Sequence, residues 1–229
     1  MKRARWIVNE AKEAEVWLYD EIGEDWFGEG ISAKAFIEDL NALPANVEKV
    51  IVRINSPGGD VFEGFAMYQA LLRHKAEIVV AIDSLAASAA SVVAMAGKTI
   101  NAAETSMVMI HDPWAMGIGN AADFRQLADT LDKVTGQIVT TYSRRDGVDP
   151  ALIREAMRAE TWYTAEEAKA VGLVDAVTGT TVGIAAKVPP GRYARTPARL
   201  IGTAPVPNHP EAVRKRLAAA QRMLELVGP

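Results

Sequence analysis

Along the first 180 residues, short apolar runs rich in β-branched residues alternate with stretches whose apolar residues recur at helical spacing. That alternation confines the chain to an α/β domain assembled from βαβ units, because each type of element must bury its apolar side against the other. Val16 to Tyr19 reads as a strand, and Ser32 caps a helix carrying Phe36, Ile37, Leu40 and Leu43 on one face. Lys49 to Ile54 (KVIVRI) reads as a buried strand, Asp60 to His74 as a helix bearing Phe62, Phe65, Leu71 and Leu72, and Glu77 to Ile82 as a strand again. The alanine-rich run from Leu85 to Ala96 is too long for a strand and predicts a buried helix. Ser106 to Ile110 is strand-like. Ala121 to Tyr142 then repeats Phe124, Leu127, Leu131, Val134, Ile138 and Tyr142 at helical spacing.

The 229 residues allow one domain of roughly 150–200 residues plus an appendage. The absence of cysteine removes a disulfide framework, a thiolate-held zinc and a thiol nucleophile together. No metal or other cofactor is expected. Imidazole chemistry has three candidates, His74, His111 and His209. The N-terminal MKRARWIVNEAKEAEVW lacks the apolar run of a secretory signal. The uncharged stretch from Ser84 to Gly97 falls short of the roughly 18 residues a membrane span needs. A soluble, cytoplasmic protein with no membrane or nucleic-acid partner is the expectation.

Charge divides the chain. Residues 1–186 carry 17 basic and 27 acidic side chains, whereas 187–229 carry 8 basic and 2 acidic ones and seven of the eleven prolines. The expected organisation is an α/β domain over 1–180, a Pro-rich basic linker over 181–210 and a short basic amphipathic helix over 211–229. That helix suits docking to an acidic partner, and it would suit packing back on its own domain equally well.

Three strand-to-helix junctions could carry chemistry. Asn55-Ser56-Pro57-Gly58-Gly59 follows the KVIVRI strand, and its diglycine lets another backbone or a ligand approach; a plain tight turn would read the same way. Ser88 lies among alanines at a helix start, where amide donors can meet a developing oxyanion; close helix packing with capping serines explains those residues too. His111, in Met109-Ile110-His111-Asp112-Pro113, sits at the end of an apolar strand.

Taken together, INSPGG, LAAS, MIH before Asp-Pro, and EEAKAVGLVD, in this order over roughly residues 15–178, resemble the Clp protease family. The details ASAASVVAMAG, MIHDPWAMGIGNAAD and AETWYTAEEA look most like the Clp-like head maturation (prohead) proteases of tailed bacteriophages. The resemblance implies the ClpP/crotonase-like fold of repeated βαβ units, with Ala121–Tyr142 as a protruding handle helix. It implies Ser88 as nucleophile, His111 as general base, and the amides of Gly59 and Ala89 as the oxyanion hole. Where the family has an aspartate, this chain has Glu160, whose side chain is longer by about 1.5 Å. Asp112, next to His111, is the weaker candidate, since neighbours on an extended chain point to opposite sides.

The resemblance also implies a homo-oligomeric ring, of seven subunits in the family's usual form, single or stacked. The leading expectation is an ATP-independent serine endopeptidase that trims capsid, scaffold or portal proteins in the host cytoplasm or prohead interior. The alternatives are a cellular ClpP-type subunit served by a separate AAA+ ATPase and a non-catalytic ring-forming scaffold; a crotonase-type acyl-CoA enzyme ranks below both. No GxxxxGK[ST] pattern occurs, so a nucleotide motor would have to be a separate chain.

Overall fold

The computed structural model describes residues 5–8, 12–24, 30–179 and 188–201. The expected helix over 211–229 and the rest of the expected linker lie outside these residues. Three consecutive βαβ units form the body. Strand β2 (Glu13–Leu18) leads through α1 (Ala33–Asn41) to β3 (Lys49–Ser56), then α2 (Val61–Arg73), β4 (Glu77–Ala87), α3 (Ala89–Ala94) and β5 (Thr99–Ala103). The pairs β2–β3, β3–β4 and β4–β5 are all parallel. Strand β1 (Arg5–Val8) adds antiparallel to β2 at one edge. After β6 (Met107–Ile110) come α4 (Ala121–Tyr142), α5 (Pro150–Arg158), β7 (Thr161–Thr164), α6 (Ala165–Ala170) and β8 (Ala176–Thr178), which pairs with β5.

Local chemistry starts the helices where the sequence places them. Ser32 Oγ accepts from the Ala35 amide at 3.3 Å and opens α1. Asp60 Oδ1 accepts from the amides of Phe62 and Glu63 at 2.8 and 2.9 Å and opens α2. Asn120 and Asp123 form a capping box at the head of α4. Along α2, Gly64, Met67, Tyr68, Ala70 and Leu71 are buried while Phe62 and Leu72 face outward. In α4, Val134, Ile138 and Tyr142 are buried, but the turns before them are largely exposed, Phe124 half so.

The alanine-rich run corrects the sequence reading most. Leu85–Ala87 are not helical; they extend β4 to 11 residues, and the helix covers Ala89–Ala94 alone. Small side chains permit either conformation, and here a second strand decides it. The first half of β4 pairs with β5, whereas Leu85, Ala86 and Ala87 pair with Met107, Val108 and Met109 of β6. The sheet therefore forks at β4, and β6 pairs onward with β7, antiparallel. Side chains alternate across this fork. Ala86, Val108 and Ile110 join the main core, while Leu85, Ala87, Met107 and Met109 form a second cluster on the opposite face.

That second face corrects the expected linker. Its cover is supplied by Val188, Tyr193 and Leu200, all buried. Residues 188–201 are thus a packed part of the fold and not an extended tether. Three prolines and a glycine exclude an α-helix or central strand, but they do not prevent an irregular loop from burying apolar side chains.

Candidate active site

Strand register brings the chemistry together. Because Ala87 pairs with Met109, the Ser88 amide donates to Met109 O at 2.9 Å, and His111 follows one residue beyond Ile110. Continuing the antiparallel β6–β7 register past Ile110–Thr161 sets Glu160 opposite His111. Ser88 occupies a strained turn, with φ 53° and ψ −125°, between the end of β4 and the start of α3. A non-glycine residue held there is costly by about 1–3 kcal/mol and projects its side chain out of the chain path.

Its partner is His111. Ser88 Oγ lies 2.8 Å from His111 Nε2, within hydrogen-bond reach of a base that could take its proton. Burial, opposed by the charge of Glu160 and reinforced by that of Arg192, pushes the His111 pKa down to about 4. The ring is therefore neutral at physiological pH. With its proton on Nδ1, Nε2 accepts from the serine hydroxyl.

The diglycine turn flanks this pair. Ser56 Oγ donates to Asp20 O at 2.6 Å and accepts from the Gly58 amide at 3.1 Å, fixing the turn's entry. Gly58 has φ +86°, and a Cβ there would stand 2.5 Å from Ala87 O and 2.7 Å from Ser88 Cβ, so only glycine allows the turn to press against the serine. Ile22 donates to Gly58 O and accepts from Asp60 N, which turns the intervening Gly59 amide to the opposite side. Gly59, Ser88, Ala89 and His111 all line one cleft of about 450 Å³.

Glu160 is near His111 but otherwise engaged. Its carboxylate accepts from the amides of Ala194 (2.7 Å) and Arg195 (2.5 Å) and from Trp162 Nε1 (3.2 Å). Among the described residues no hydrogen bond joins it to His111. Glu160 itself has φ +48°. Asp112 does not line the cleft; its amide donates to Met157 O, and burial raises its carboxyl above the usual range.

Ser91, Tyr142, Glu21, Arg192 and Tyr193 join the site without having been read as part of it in the sequence. Ser91 Oγ lies 2.6 Å from Ser88 O, 3.0 Å from Met109 O and 2.8 Å from Tyr142 Oη, tying the strained turn to α4. From the C-terminal side, the Tyr193 ring meets His111 edge-on at 4.9 Å between centroids, and Arg192 pairs with Glu21. One signal was available: Tyr193 is the sole aromatic residue after Tyr163, and it directly follows Pro-Pro-Gly-Arg.

The model of the Clp protease family matches residues 4–181. The chain belongs to the Clp protease family. It is 33% identical over 134 residues to the ATP-dependent Clp protease proteolytic subunit 1 of Chlamydia abortus, covering 57% of this chain and 70% of that one. Against proteolytic subunit 3 of Rhodococcus jostii it is 32% identical over 139 residues, 59% of this chain and 68% of that one. Against the Bacteroides fragilis proteolytic subunit it is 31% identical over 130 residues, 56% of this chain and 63% of the relative. By family this is a ClpP-like serine protease with the mixed α/β fold of that family. Among the described residues no helix is long and apolar enough to cross a membrane.

Proposed function

We propose that this chain is the proteolytic subunit of a Clp-type assembly, a serine endopeptidase that forms a homo-oligomeric ring and receives protein substrates from a separate ring ATPase. The observation that carries the catalytic part is the 2.8 Å approach of Ser88 Oγ to His111 Nε2 beside the diglycine turn. In the reaction, Ser88 Oγ attacks the scissile carbonyl carbon as its proton passes to Nε2. The resulting oxyanion takes the amides of Gly59 and Ala89. His111 then returns the proton to the leaving amine, and water repeats the sequence on the acyl-enzyme. Glu160 stabilises the transient imidazolium through its charge. The ATPase partner is supported by the relatives, whose names describe ATP-dependent proteolytic subunits.

A second reading, the ATP-independent processing of capsid, scaffold or portal proteins in a phage prohead, rests on the sequence words shared with head maturation proteases and on the basic tail. The relatives reported above are cellular Clp subunits and lend it no support. Retention of a hydrogen-bonded Ser88–His111 pair speaks against a purely scaffolding ring.

One assay separates these readings. A fluorogenic peptide and a folded, degradation-tagged protein are offered with and without a Clp ring ATPase and ATP. The proposal expects peptide cleavage by the chain alone, folded-protein cleavage only with the ATPase and ATP, and neither in Ser88→Ala. Cleavage of the folded protein at the same rate without the ATPase would overturn the partner and favour the second reading.

A further inference from the structure

Residues 188–201 close on themselves over the cleft. Pro189-Pro190-Gly191-Arg192 is a tight turn in which the Arg192 amide donates to Pro189 O at 3.2 Å and Gly191 adopts φ +75°. That is the left-handed position for which a type II turn requires glycine. A 3₁₀ turn over Ala198–Leu200 follows Pro197, and the Val188 amide donates to Leu200 O at 2.8 Å. The two ends of the segment therefore meet, giving a compact Ω-shaped loop. Val188 and Leu200 anchor it in the second apolar cluster.

From that anchored base, the tip projects into the site. Arg192 pairs with Glu21, with 18% of its side chain exposed. The Tyr193 hydroxyl donates to Pro57 O at 2.6 Å, beside the diglycine turn. Burial raises the Tyr193 phenol's pKa against the opposing pull of Arg192 and of the Ser88 hydroxyl. The next two amides, of Ala194 and Arg195, take the Glu160 carboxylate. One short stretch thus engages the serine, the histidine, the acid and the diglycine turn.

Charge gives the loop a further meaning. Glu21, Glu24 and Asp60 line the cleft near Gly59, and Arg192 is the one Lys or Arg lining it among the described residues. With Arg192 withdrawn, that end of the cleft presents carboxylates without a cation, which favours a positive guanidinium or ammonium group.

We infer that loop 188–201 is an internal occupant of the substrate cleft, in which Arg192 holds the place of a basic substrate side chain against Glu21. The peptidase then acts on chains presenting Arg or Lys at that subsite, and only while the loop is displaced. Displacement also frees the Glu160 carboxylate from the Ala194 and Arg195 amides, so that it can turn to His111 Nδ1. This inference rests on the serine peptidase reading.

The test uses the full chain with Arg192→Glu and, separately, Tyr193→Ala, both of which keep the Val188 and Leu200 anchors. The readout is the second-order rate of Ser88 modification by a fluorophosphonate. Arg192→Glu should react about two- to fivefold faster than wild type, the effect of losing one ion pair of ordinary strength, and Tyr193→Ala should also react faster than wild type. Rates equal to or below a measurable wild-type rate would overturn the occupant role. No reaction in any protein, wild type included, would instead overturn the peptidase reading. In the Tyr193→Ala background, peptides scanned with Arg, Lys, Leu and Glu on each side of the scissile bond should show about tenfold preference for the basic residues at one position, lost in Glu21→Gln. Equal cleavage, or preference for Glu, would overturn the subsite.

Discussion

Lowering the pH perturbs His111 in a way the structure quantifies. Its pKa is pushed down from 6.5 to about 4, chiefly by burial and further by Arg192, against the opposing charge of Glu160. At pH 5.5 a group with a pKa of about 4 is roughly 97% neutral, whereas an ordinary histidine is only about 10% neutral. Acylation of Ser88 should therefore stay near its plateau at pH 5.5 and fall only as pH approaches 4. The assay is the initial rate of fluorophosphonate labelling between pH 3.5 and 8. The same shift is a statement about stability. Because the folded pKa is depressed, the unfolded chain binds the extra proton between pH 6.5 and 4. The contribution of His111 is full above about 6.5 and declines by at most about 3 kcal/mol as pH falls to about 4. Chemical denaturation along the same pH series, with His111→Gln as reference, measures it. Tyr193→Ala, which uncovers the ring edge, should move the labelling inflection upward. An inflection near 6.5 in the wild type would refute the burial argument, since it would mean that the ring is hydrated.

Gly58→Ala would force a Cβ into Ala87 O and Ser88 Cβ at a left-handed φ; we expect a loss of about 1–3 kcal/mol in thermal denaturation and of at least about 10²-fold in acylation rate. Ser91→Ala removes the hydroxyl between Ser88 O and Tyr142 Oη and leaves the tyrosine oxygen buried without that partner, so urea titration should show a loss of about 1–3 kcal/mol together with slower acylation. Glu160→Gln keeps the side-chain shape but removes the charge that raises the His111 pKa; peptide hydrolysis should fall while the labelling inflection moves to lower pH, and an inflection moving upward would contradict the assigned sign. Ser32→Ala, at the cap of α1, should cost about 0.5–2 kcal/mol without changing the labelling rate of the folded protein, as read by melting and labelling in parallel.

The alternation of periods and the capping residues made the parallel core legible, because KVIVRI, Ser32, Asp60 and the long α4 stripe each encode their conformation locally. His111 stands out in the sequence as the end of an apolar strand, whereas Ser88 is picked out only by the family resemblance, since the alanines around it read equally well as a packed helix. What the sequence concealed depends on contacts between distant segments. Leu85–Ala87 are strand only because β6 pairs with them, and alanine carries no local preference strong enough to announce it. Phe62 looks like core by composition, yet the helix rotation that buries Met67 and Tyr68 turns it outward. The resemblance singles out the position of Glu160, but its attachment to Ala194 and Arg195 is hidden, because Pro-rich composition reads as a tether wherever the second apolar face it covers is unknown.

Activation of Ser88 by His111 is tested most directly by peptide mass mapping after fluorophosphonate treatment. A single adduct on Ser88 in the wild type, abolished in His111→Ala although that variant remains folded, is the predicted result. An adduct on another serine, or full labelling of Ser88 without the imidazole, would contradict it.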